Sequence, residues 1–284
     1  MTRAKAFSVL LSLAAYGLLG CHAALAEEFE ATSGRTSPDY IRARLPDGSF
    51  KPETYAFGKG GYWGGPLHDK TIDAIGFLKI AHIMAVPLAA QHHVPDSDPK
   101  TTSLLIMVYW GTTHAPEHAN ESAEYENLMD AMSGNTLRGG ADPISAYAAA
   151  AQAENRIRDM QNAQTAKLLG YDSWWEATFD ARPGTPQAYR RKDMMNELEE
   201  YRYFVVLMAY DFQLLWKQRK HKLLWETRFS IREHVNSFDQ QLPAMAEGAS
   251  RYFGRDSGGL AHDTLPEGNV ELGKIKDLGA LPGK

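Results

Sequence analysis

Leu104-Leu105-Ile106-Met107-Val108-Tyr109-Trp110 is an apolar run of strand length, preceded by the turn chemistry of Asp96-Ser97-Asp98-Pro99 and closed by Gly111. A run of this length without polar alternation predicts a central strand covered on both faces. Phe204-Val205-Val206-Leu207-Met208-Ala209-Tyr210 repeats the pattern and predicts a second buried strand, continued to Trp216. Lys217 to Lys222 is a polar turn. Beyond it Trp225, Thr227, Phe229 and Ile231 alternate with Glu226, Arg228, Ser230 and Arg232, the period of two expected of a strand with one wet face. The last two strands therefore read as a hairpin.

Helical spacing governs other stretches. From about Lys70 to Gln91 the positions Ile72, Ile75, Phe77, Leu78, Ile80, Ile83, Met84, Val86 and Leu88 leave almost no polar face. This predicts a helix buried on most sides, capped by Asp69 or Thr71 and kinked or ended early by Pro87. Phe238, Leu242, Met245, Ala249, Tyr252 and Phe253 define a closing helix that stops at Gly254. From His114 to Glu200 the character is helical, with Asp142-Pro143 and Thr185-Pro186 as starts and Gly170 as a stop. Thr54-Tyr55-Ala56-Phe57 reads as a short strand, followed by a glycine loop from Gly58 to Gly65 that carries Tyr62 and Trp63.

The element order is strand, helix, strand, helical insertion, strand, strand, helix. It predicts an α+β fold: a small mixed or antiparallel sheet with helices on one face and a helical insertion between the second and third core strands. The expected organisation is a signal peptide at 1–26, an extended N-terminal arm at 27–53, a core made of 54–113 and 201–254, an insertion at 114–200 lying outside the sheet, and a tail at 255–284 with a possible edge strand at Val270–Ile275. The pattern resembles a family of bacterial exported lipoproteins known only as a domain of unknown function. The resemblance rests on Thr54-Tyr55-Ala56-Phe57, the apolar helix after it, Leu104-Leu105-Ile106-Met107-Val108, and the hairpin whose second strand opens at Leu223-Leu224-Trp225. It covers about half of the chain beyond the leader, and the long insertion departs from the family's compact pattern. It implies a cell-envelope location and no known reaction.

The first residues specify the address. Arg3 and Lys5 precede an apolar run from Ala6 to Leu19, and Ala24-Leu25-Ala26 before Glu27-Glu28 has the small-x-small form of a signal-peptide cleavage site. The run is shorter than the roughly 20 residues that span a bilayer as a permanent helix. Cleavage after Ala26 makes Glu27 the first mature residue. The alternative is lipidation at Cys21, since Leu18-Leu19-Gly20-Cys21 resembles a lipobox. Cys21 is the only cysteine, so the exported domain has no disulfide and no thiolate. Loss of the two leader cations takes the formal charge from −5 to −7, and the remaining basic residues are scattered, which argues against a nucleic-acid partner.

Candidate chemistry is sparse. His114-Ala115-Pro116-Glu117-His118 has the letters of an inverted zinc-protease motif, but Pro116 keeps both histidines from sharing one helical turn. Asp256-Ser257-Gly258-Gly259 resembles a serine-protease nucleophile segment placed in a tail after a helix, where a flexible turn is the better reading. The glycine loop lacks the Gly-Lys-Ser/Thr ending of a phosphate-binding loop. His92-His93 is assigned to a helix C-terminus, where the dipole favours histidine, and the aromatics Tyr109, Trp110, Trp174, Trp175, Trp216 and Trp225 to the core, although a sugar or peptide platform is the alternative. No cofactor or metal is implied. The remaining candidates are Asp211, a lone carboxylate in an apolar strand, together with Thr112, Thr113 and His114 at the end of the neighbouring strand. The expected function is non-enzymatic binding or assembly in the envelope through the insertion or the aromatic loop. The alternative is a periplasmic hydrolase or small-ligand binder using Asp211, Thr112 and His114 at the strand ends.

Overall fold

The computed structural model describes residues 29–64, 69–115, 143–233 and 237–264. The leader with Cys21, Ala26 and Glu27, the pair Glu117 and His118, and the segment Val270–Ile275 lie outside the described residues.

The two apolar runs are neighbours in one sheet. Strand β4 (Leu104–Thr112) pairs antiparallel with β5 (Arg202–Asp211), Leu104 opposite Asp211 and Thr112 opposite Tyr203. β5 pairs antiparallel with β6 (Leu223–Arg232), the predicted hairpin. On the far side of β4 lie β2 (Glu53–Trp63) and β3 (His93–Pro95), both parallel to their neighbours. Beyond β6 come β1 (Phe29–Thr36) and β7 (Leu260–Thr264). Among the described residues the mixed sheet has seven strands in the order β3-β2-β4-β5-β6-β1-β7, and the fold is α+β.

Alternate residues of the central strands feed two cores. Leu104, Ile106, Val108 and Trp110 of β4, with Tyr203, Val205, Leu207 and Ala209 of β5, face three helices: α1 (Lys70–Asp73), α2 (Phe77–Ala90) and the closing helix (Phe238–Ser250). The intervening Phe204 and Val206 face the insertion, whose helices are α3 (Pro143–Leu169), α4 (Asp172–Thr178) and α5 (Pro186–Leu198). Ala166, Leu169, Tyr171, Met194 and Leu198 are buried against them. The insertion therefore covers the opposite sheet face and does not hang outside it. A strand apolar on both sides needs a cover on both, because an exposed Phe204 or Val206 forfeits about 1.5–3 kcal/mol of burial.

Several local expectations are corrected. Residues 29–36 belong to a buried strand, with Ala31 and Thr32 fully enclosed between β6 and β7, and not to a surface arm. β2 runs through Gly58, Gly60 and Gly61 to Trp63, so most of the glycine segment is strand and not loop. The apolar helix is two helices divided at Ala74–Gly76, α2 continues past Pro87 to Ala90, and Leu78 and Val86 lie 80% and 66% exposed on its outer face. β5 ends at Asp211 and gives way to a short helix, α6 (Phe212–Gln218); the closing helix is α7.

Candidate functional site

The register of β4 and β5 separates the sequence-predicted site residues. In an antiparallel pair the end of one strand meets the start of the other, so Asp211 stands beside Leu104 while Thr112 stands beside Tyr203. The two positions are a strand's length apart, about 26 Å at the usual rise per residue. Asp211 is occupied structurally, because its Oδ1 accepts a hydrogen bond from the Leu214 backbone N–H at 2.9 Å and so caps the N-terminus of α6. Thr113 is also committed. Its Oγ1 accepts from the Arg202 N–H at 2.9 Å and donates to the Glu200 carbonyl at 3.2 Å, which seals the entry of β5.

Thr112 and His114 instead open onto a cleft. Because β2 and β4 are parallel, Trp63 and Gly111 are neighbours at the same end of the sheet. A hollow of about 410 Å³ there is lined by Trp63, Thr112, His114, Gln161, Gln164, Thr165 and Leu168. A second hollow of about 430 Å³, sharing Trp63 and Leu168 with the first, runs along the sheet over Gly60, Gly61, Tyr109, Phe204, Val206 and Met208. Both volumes fall in the range of small-ligand sites.

The local sequence accounts for each wall. On the sheet side, Gly60 lacks the side chain that would block Tyr109; a Cβ there would come within 2.6 Å of the Tyr109 ring, so the ring lies across the strand. Trp63 at the end of β2 is left 72% exposed. On the helix side, Gln161, Gln164, Thr165 and Leu168 fall at i, i+3, i+4 and i+7 of α3, one stripe of its surface. The stripe is held in orientation at its C-terminal end. The Arg228 guanidinium donates to the carbonyls of Lys167 at 3.0 Å and Leu168 at 2.9 Å while pairing with Glu226 at 2.9 Å. Gly170, at φ +86°, then turns the chain against Ser33 of β1, where no side chain would fit.

The other sequence candidates resolve as structure. Ser257 Oγ accepts from the Gly34 N–H at 2.9 Å and donates to the Gly259 carbonyl, and Asp256 accepts from the Gly258 N–H at 2.7 Å, a turn with its groups in use. His93 is in β3, not at a helix end. Its ring is buried beside Trp225 and Tyr55, and burial together with the Arg42 charge pushes its pKa down to about 3. It is neutral, so the dipole argument fails. Trp225 and Trp110 are core residues as expected, whereas Trp174 rests on His262 and Trp175 under Arg191 at the insertion's edge. Among the described residues no group of three or more His, Cys, Asp or Glu could hold a metal ion, and no helix is long and apolar enough to cross a membrane.

Sequence reasoning missed Gln161, Gln164 and Thr165. The available signal was their shared stripe in an alanine-rich helix, where neutral polar residues contribute little to burial.

No protein-family model and no curated protein matches the sequence. Among solved structures, a PDZ domain protein from Parabacteroides distasonis aligns over 83% of this chain and 38% of its own length, at 11% identity and a TM-score of 0.37. This chain thus spans well under half the length of that protein, and a likeness at that level supports no statement about fold or activity.

Proposed function

We propose that this protein is exported to the cell envelope and works there by binding, gripping another envelope component in the cleft between the ends of β2 and β4 and the stripe of α3. The export address is supported by the leader at residues 1–26 and by the resemblance to exported lipoproteins, with Cys21 as the alternative point of attachment. One observation carries the binding reading. An exposed tryptophan, Trp63, and the neutral polar side chains of Gln161, Gln164 and Thr165 line one hollow of small-ligand size. The hydrolase alternative needed Asp211 beside Thr112 and His114, and Asp211 lies at the opposite end of the sheet from Thr112.

Hydrogen–deuterium exchange of the purified chain, with and without solubilised bacterial envelope material, tests this reading. The expected result is slowed exchange confined to Gly60–Trp63 and Gln161–Leu168. Protection centred instead on the outer face of α2, around Leu78 and Val86, would contradict it.

A further inference from the structure

The chemistry of the lining narrows the occupant, and the inference rests on the binding reading above. Among the described residues lining the outer hollow none is lysine, arginine, aspartate or glutamate. A ligand that owed its affinity to charge would find no counter-ion among them, and burying an unpaired charge costs several kcal/mol. What the hollow offers is one indole, two primary amides, the Thr165 hydroxyl and an imidazole. A primary amide both donates and accepts, two bonds of each kind, and so matches groups that do the same. Hydroxyls are such groups. An exposed indole offers a flat apolar face of the kind that takes the C–H face of a sugar ring.

A peptide would have to use the same surface differently. Among the described residues the outer edge of β2 pairs with β3 only over Glu53–Tyr55, so the stretch toward Trp63 is where a strand would be added. The register between β2 and β4 shifts between Lys59 and Gly61, however, and a bulge of that kind interrupts the regular ladder on which strand addition depends. Bulges are a common protection of exposed edges.

We propose that the cleft binds an uncharged saccharide segment, one ring stacked on Trp63 and its hydroxyls held by Gln161, Gln164 and Thr165 on α3, with Thr112 and His114 closing the end. Arg228 does not take part, since its guanidinium is occupied by Glu226 and by the carbonyls that end α3. The second hollow, floored by Tyr109 and Met208 with the occupied Arg228 in its wall, extends the contact surface along the sheet for a ring or acyl substituent next to the stacked sugar.

Isothermal titration of the purified chain with an N-acetylglucosamine tetramer, a glucose hexamer and a tetra-alanine peptide tests the inference. At least one oligosaccharide should bind saturably. Trp63→Ala should weaken that binding tenfold or more and Gln164→Ala severalfold, and raising the salt should leave the affinity unchanged. Both side chains are exposed, so neither variant should alter the melting temperature, which is measured alongside. Binding of the peptide but of neither oligosaccharide overturns the saccharide inference and leaves the cleft in place. Oligosaccharide binding that survives Trp63→Ala overturns the assignment to this hollow. Binding of none of the three, when exchange of Gln161–Leu168 is still slowed by envelope material, rejects the saccharide alone; absence of both rejects the cleft as well.

Discussion

Stability should fall on acidification in a way that one residue controls. His93 is 1% exposed, packed 6.0 Å from the Trp225 ring and 6.5 Å from Tyr55, and neither ring nitrogen has a hydrogen-bond partner. Glu53 Oε2 lies 3.8 Å from its Nδ1 and would favour a proton, but the same oxygen already accepts from the Tyr40 hydroxyl at 2.6 Å and faces Arg42 Nε at 3.4 Å. Burial and the arginine therefore prevail, and the folded pKa drops from 6.5 to about 3. A depressed histidine pKa means that the unfolded chain takes up a proton in this interval and the folded chain does not. The contribution is fully present above 6.5 and is lost as the pH falls from there toward 3. Between about pH 7.5 and 5 the loss amounts to about 2 kcal/mol, at ~1.4 kcal/mol per pH unit below 6.5. Urea unfolding at a series of pH values, for the natural chain and for His93→Leu, isolates the term. Leucine changes packing and lowers stability at every pH, but the difference between the two curves should shrink by about 2 kcal/mol over this range. Parallel curves would refute the reasoning and mean that the folded and unfolded pKa of His93 coincide, and a difference that widens on acidification would mean that His93 is protonated and paired with Glu53.

Glu30 should behave in the opposite sense. It is fully buried with both oxygens unpartnered, and burial followed by the charge of Asp263 across the β1–β7 pair raises its pKa well above 4.5. The folded chain holds a proton that the unfolded chain releases, so this group's contribution is lost as pH rises from the unfolded value through the folded one. Glu30→Gln should raise the neutral-pH melting temperature and leave that at about pH 4 nearly unchanged. Gly111→Ala should destabilise by about 1–3 kcal/mol in denaturant unfolding, because its Cβ would overlap the Trp63 carbonyl. Asp211→Ala should cost about 1 kcal/mol through the lost cap of α6, with ligand affinity in titration unaffected.

What the sequence made legible follows from burial. The runs Leu104–Trp110 and Phe204–Tyr210 are apolar on both faces because both faces are covered, and the alternation from Trp225 to Ile231 sets one core face of β6. β1 was opaque because its residues are small and polar, a composition shared with loops. Its Gly34 sits where a Cβ would come within 2.8 Å of the Tyr252 side chain, so that strand is small to admit its neighbours. The apolar segment after Tyr210 concealed a change from strand to helix, although Asp211 was the cap that marked it. For the site, Thr112 and His114 were legible as residues at a strand end. Asp211 was misplaced because the antiparallel register that sends it to the other end of the sheet is a property of pairing, which no single strand records. The two glutamines of α3 acquire meaning only once Arg228 and Gly170 fix the helix against the sheet.

The claim that the cleft is the working surface sets it against the exposed apolar face of α2, and sedimentation of the purified chain with bacterial envelope material measures the two directly. Trp63→Ala combined with Gln164→Ala should abolish co-sedimentation while Leu78→Asp combined with Val86→Asp leaves it intact, each with an unchanged melting temperature. Co-sedimentation that survives the first pair and disappears with the second would contradict the account.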